Sequence, residues 1–241
     1  MITSTTAARS PKWLHVRFAL RFVLAACAFV ANSGSAADAA AIAGAGVPGR
    51  EGLAKTILAD AAMDDVLVRA KRLIRKGLNA GDGYGEVWIR DLNTFVELGL
   101  QGPDPAPFRE ALLTFLKFQG PEGDIPDGYI PEAKASVGYK YRESDAAPGL
   151  LAHKNTVETD QETSLIQAVA KYVRATRDYA FPKVMVEGLS VEDRLAKALE
   201  YLWTHRRDET RGLLWGATTV DWGDVQPEHE WGVELDASSH R

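Results

Sequence analysis

Two stretches of this chain set tryptophan beside carboxylates in glycine-rich surroundings. One is Gly83-Tyr84-Gly85-Glu86-Val87-Trp88-Ile89-Arg90-Asp91; the other, far downstream, is Asp221-Trp222-Gly223-Asp224. This mixture suits sugars. The C–H face of a pyranose stacks on an aromatic plane, and its hydroxyls pair with guanidinium and carboxylate groups through charge-assisted hydrogen bonds. Glycosidic cleavage also calls for a carboxylic acid near the leaving oxygen. Such an acid must hold its proton at working pH, which an adjoining indole favours by desolvation and a neighbouring carboxylate by repelling the ionised form.

Each of these residues also has a plainer reading. Asp91 suits the N-cap of a helix beginning at Leu92. Asp224 suits an acidic turn around Gly223. Glu158, Asp160 and Glu162 cluster at one helix start, where acids offset the macrodipole. Asp124 and Asp127 are either turn residues or the rim of a cleft.

Amphipathic helices must position these groups. Met63, Val66, Leu67, Ala70, Leu73 and Ile74 recur at helical spacing, closed by Gly77. A shorter helix is expected over Leu92, Phe95, Val96 and Gly99, and another over Phe108, Ala111, Leu112, Phe115 and Leu116. A long loop, about 120–158, carries Gly123-Asp124-Ile125-Pro126-Asp127-Gly128-Tyr129-Ile130-Pro131; its aromatic and apolar anchors favour an ordered loop. Thr159 and Glu162 form a capping-box pattern ahead of Leu165, Val169, Tyr172 and Val173. Ser190 and Asp193 open a further helix through Leu195, Leu199 and Leu202 to about Arg206. Val87 to Ile89 reads as a short strand at most. The expected fold class is therefore all-α, helix packed on helix.

Composition narrows the function. The 241 residues are 46% hydrophobic and 25% charged with a net charge of −5, which is ordinary for a globular protein and does not favour a nucleic-acid surface. Arg9, Lys12, Arg17 and Arg21 precede the apolar run from Phe22 to Ala31, and Ser33-Gly34-Ser35-Ala36-Ala37 follows. Residues 1–36 thus read as a secretory signal peptide, and the run is too short for a membrane span. Residues 37–62 read as an Ala/Gly-rich leader, and 63–241 as the folded domain. The expected destination is periplasmic or extracellular. Leu24-Ala25-Ala26-Cys27 also resembles a lipobox, a less favoured route that would lipidate Cys27, the sole cysteine. The histidines lack zinc-ligand spacing, and the glycines form neither a phosphate loop nor a dinucleotide fingerprint. No cofactor and no metal is expected.

With its Trp-x-Arg-Asp segment at Trp88-Ile89-Arg90-Asp91, the chain resembles the six-hairpin, or (α/α) toroid, glycosidases of the glucoamylase-like and glycogen-debranching-like kind. Thr219-Val220-Asp221-Trp222-Gly223-Asp224 resembles the debranching-type segment whose Trp-x-Asp supplies the general acid. The resemblance covers about residues 63–241. It implies that Arg90 and Asp91 bind sugar hydroxyls, that Trp88 walls the subsite, and that Asp224 protonates the leaving oxygen. Tyr84, Asp127, Glu158 and Trp222 complete the expected substrate-binding set, with Asp221 beside the acid. A whole toroid has twelve helices, so the chain reads as the N-terminal part of one, an incomplete toroid whose catalytic base would come from a later half. The implied function is an exported glycoside hydrolase acting on an oligo- or polysaccharide, with inversion at the anomeric carbon. A non-catalytic carbohydrate-binding module on the same helices is the alternative. A toroid epimerase is disfavoured, because its general bases are commonly histidines and those here are few and scattered.

Overall fold

The computed structural model describes residues 50–78, 85–135, 141–153 and 160–214. Within them, two helices, α1 (Arg50–Leu58) and α2 (Ala61–Gly77), lead into strand β1 (Val87–Trp88) and helix α3 (Ile89–Gly99). Helix α4 (Ala106–Lys117), strand β2 (Gly128–Pro131) and strand β3 (Leu150–His153) follow. The remainder is helix α5 (Gln161–Thr176), the hairpin β4 (Met185–Val186) and β5 (Leu189–Ser190), helix α6 (Val191–His205), and the hairpin β6 (Arg207–Asp208) and β7 (Leu213–Leu214).

The all-α toroid expectation is overturned. Three small antiparallel sheets stand among the helices: a three-stranded sheet in the order β1-β2-β3 and the two hairpins. The reason lies in the long 120–158 segment. Residues 123–130 are buried, and buried backbone N–H and C=O groups must find partners. Gly128, Tyr129 and Ile130 meet that need by pairing with β1 on one side and β3 on the other. Helix α1 falls within the 37–62 stretch read as a leader. Among the described residues no helix is long and apolar enough to cross a membrane.

Side-chain caps start two of the helices. Asp60 Oδ1 accepts from the Ala62 N–H at 2.9 Å and starts α2. Ser190 Oγ accepts from the Asp193 N–H at 3.1 Å and starts α6. Between β4 and β5, Glu187 and Gly188 have φ of 45° and 83°. Positive φ at both central residues is the type I′ hairpin turn, which suits the natural twist of two strands.

The core lies between α3, α4, α5 and α6. Ile89, Leu92 and Val96 of α3 meet Leu165, Ala168 and Val169 of α5, all completely buried. Phe108, Leu112, Phe115 and Leu116 of α4 and Leu195 and Ala198 of α6 fill the rest. Each large side chain removed from water contributes about 1.5–3 kcal/mol. Gly99 allows α3 and α4 to close up, because a Cβ there would sit 2.0 Å from Phe108 Cζ.

Candidate functional site

The site is built where the three-stranded sheet meets the first turns of α3 and α5. Register places Trp88, Gly128 and His153 in one row across β1, β2 and β3. Residues in one row share a face of the sheet. The central position has no side chain, so the flanking rings lean over it. The Trp88 and His153 centroids lie 4.8 Å apart, edge to face at 83°. Tyr141 adds a third ring, 5.9 Å from His153 and also edge-on. Its neighbour Arg142 holds that segment in place: Nη1 donates to Phe118 O at 2.8 Å, Nη2 to Asp124 Oδ2 at 2.6 Å, and its backbone bridges to Ala152.

Asp127 ties the elements together. Its carbonyl accepts from the Ile89 N–H and its N–H donates to His153 O, each at 2.8 Å. One peptide segment thereby joins the start of α3 to the end of β3. The Asp127 side chain is buried and accepts a hydrogen bond from Gln161 Nε2 at the start of α5. Arg90, on the first turn of α3, reaches Asp160 Oδ1 at 3.4 Å, just ahead of α5. Each of Trp88, Arg90, Asp91, Asp127, Tyr141, His153, Asp160 and Gln161 has at least one further polar or ring interaction.

Several plainer readings change. Trp88, not Asp91, holds the N-cap position of α3, and Asp91 lies inside the first turn, buried, where the helix dipole favours an acid. Glu162 is completely buried, and its Oε1 accepts from the Ile125 N–H at 2.9 Å, fastening the 120s segment to α5. Asp160 occupies the N-cap of α5 with no side-chain capping bond. Asp124 is structural, paired with Arg142 and folded against Gly120, where a Cβ would stand 1.9 Å from its Oδ1.

Four residues expected at the site, Trp88, Arg90, Asp91 and Asp127, gather at this end of the molecule. Tyr84, Glu158, Asp221, Trp222 and Asp224 lie outside the described residues, as do the proposed signal peptide, Cys27 and Thr159. Sequence reasoning missed His153, Tyr141 and Gln161. A clue was available for Gln161, which sits beside the acids of a helix start; His153 and Tyr141 are joined to the site only by strand register. Among the described residues no group of three or more His, Cys, Asp or Glu is placed to hold a metal ion.

No family model, no curated protein and no solved structure matches this chain. The chemistry of the site therefore carries the functional argument. The Trp88, His153 and Tyr141 rings, the buried carboxylates of Asp91 and Asp127, the Arg90 guanidinium and the Gln161 carboxamide stand at this end of the molecule.

Proposed function

We propose that this protein is an exported carbohydrate-active protein of the glycoside hydrolase type. Trp88 supplies the stacking face for one sugar ring. Arg90, Asp91 and Asp127 hold its hydroxyls, with Tyr84, Glu158 and Trp222 extending the contact. Asp224 protonates the leaving oxygen, Asp221 helps to keep that proton in place, and a second carboxylate activates water on the opposite face. The observation that most supports the reading is the cluster itself: Trp88 meets His153 across the sheet, Arg90 reaches Asp160, and Asp127, just ahead of β2, is held by Gln161 at the start of α5.

A second reading has its own support. The Asp127 carboxylate is buried and held by Gln161, which suits an orienting ligand better than a group that meets free water. On that reading the chain binds carbohydrate without cleaving it. One experiment separates the two. The 241-residue chain is titrated calorimetrically with a panel of oligosaccharides, and hydrolysis is followed by reducing-end release. Hydrolysis lost in Asp224→Asn, with binding kept, supports the hydrolase. Binding without turnover supports the module. Arg90→Ala weakens binding on either reading, and equal affinity in that variant refutes the assigned site.

A further inference from the structure

We propose that α2 is a self-association surface, which pairs antiparallel with α2 of a second copy of this chain. The apolar stripe of α2 runs from Met63 through Val66, Leu67 and Ala70 to Ile74, but the body of the protein covers only its end. Ile74 is 3% exposed, while Met63, Val66 and Leu67 are 52%, 60% and 42% exposed. The first two turns of α2 thus present an apolar face without a partner among the described residues. Contiguous exposed apolar surface of this kind marks an interaction site.

The charge pattern identifies the occupant. Residues 60–65 contain Asp60, Asp64 and Asp65 and no base. Residues 69–76 contain Arg69, Lys71, Arg72, Arg75 and Lys76 and no acid. This polarity favours the isolated helix through its macrodipole, and it also makes the surface complementary to itself. Asp60, Asp64 and Lys71 flank the stripe on one side, whereas Asp65, Arg72 and Arg75 lie on the far side of the helix; in an antiparallel pair with a twofold axis near Val66, Lys71 of each helix lies beside Asp60 and Asp64 of the other. A parallel pair would set like charges together. Isologous contacts of this type are the commonest oligomer interface.

Sedimentation velocity of the 241-residue chain over a range of loading concentrations tests this. A reversible dimer is expected, and a monomer at every concentration overturns the proposal, whatever else covers the stripe. Val66→Asp replaces an exposed side chain and raises the dimer dissociation constant about tenfold or more; an unchanged constant overturns the proposal. Asp64→Lys in one chain, and Lys71→Glu in another, each weaken self-association. The two variants mixed together form a heterodimer. If each is monomeric and helical by circular dichroism but the mixture stays monomeric, the antiparallel pairing is wrong.

Discussion

Substituting Gly128 by alanine probes the row on which the candidate site is built. A Cβ at Gly128 would stand 3.0 Å from Trp88 Cε3, 3.4 Å from Trp88 Cδ2 and 3.0 Å from the carbonyl oxygen of Val87. The indole can swing away, but the Val87 oxygen belongs to the paired backbone and moves only if β1 shifts. Gly128 has no positive φ, so the effect is steric and not conformational. Inserting a methyl into a packed position costs about 1–3 kcal/mol, and the edge-to-face pair it disturbs is worth about 0.5–1.5 kcal/mol. With partial relaxation the expected loss is about 1–2 kcal/mol, a fall in melting temperature of about 2–8 °C for a chain of this size. Calorimetry measures that fall, and near-ultraviolet circular dichroism follows the packing of the indole. Under the proposed function, sugar affinity drops by about tenfold, because a displaced stacking ring loses roughly 1.4 kcal/mol. Gly52→Ala is the control: nothing lies within 4 Å of its Cβ position, and alanine favours a helix. If Gly128→Ala melts with the wild type and keeps its near-ultraviolet spectrum, the Trp88 and His153 rings do not meet over this glycine.

Two further outcomes follow from the core. Gly99→Ala forces a methyl to within 2.0 Å of Phe108 Cζ in a completely packed seam between α3 and α4, and should destabilise by about 3 kcal/mol; an unchanged urea midpoint would show that the two helices are not held at this spacing. Burial, and secondarily the charge of Glu110, raises the Tyr129 phenol above its ordinary 10.0. The unfolded chain then loses this proton first, so stability is steady below about pH 10 and falls as pH rises beyond it. Tyr129→Phe removes that component and moves alkaline unfolding to higher pH, with Tyr172, raised chiefly by burial and then by Asp178, retaining a share. An alkaline midpoint equal to that of the wild type would contradict the burial of Tyr129.

The helices were legible because their signal is redundant. Seventeen residues of α2, or fifteen of α6, repeat one period several times, and a cap such as Ser190 marks the start. The strands are too short for that. Gly128-Tyr129-Ile130-Pro131 spans two periods of alternation, begins with glycine and ends with proline, and its first three residues are all buried, so no in–out pattern exists to be read. Its strand character comes from its neighbours β1 and β3, which satisfy its backbone. The Glu187-Gly188 turn carried a local signal in Gly188, but two-residue strands on either side gave it nothing to join. The all-α expectation failed at segments too short to show alternation, whether their partners are remote, as for β1, β2 and β3, or adjacent, as in the two hairpins.

The candidate site divides along the same line. Trp88, Arg90 and Asp91 fall within one turn of chain, so a local pattern could name all three before any fold was known. His153 and Gln161 enter through strand register and helix phase, two quantities that a single local motif does not encode. Asp127 stands between these cases. Its turn-rich setting drew attention to it, yet its part in the site depends on two backbone hydrogen bonds that tie α3 to β3 and on the buried carboxamide of Gln161. The three-stranded sheet that overturns the expected fold class is also what brings Asp127 and His153 to the first turn of α3. Had that segment been a loop, the Trp88-x-Arg90-Asp91 motif would stand at the end of a helix with no aromatic partner across from it. The departure from an all-helical architecture and the assembly of the site are therefore one structural event, and a substitution that unpairs β2 from β1 should disturb both together.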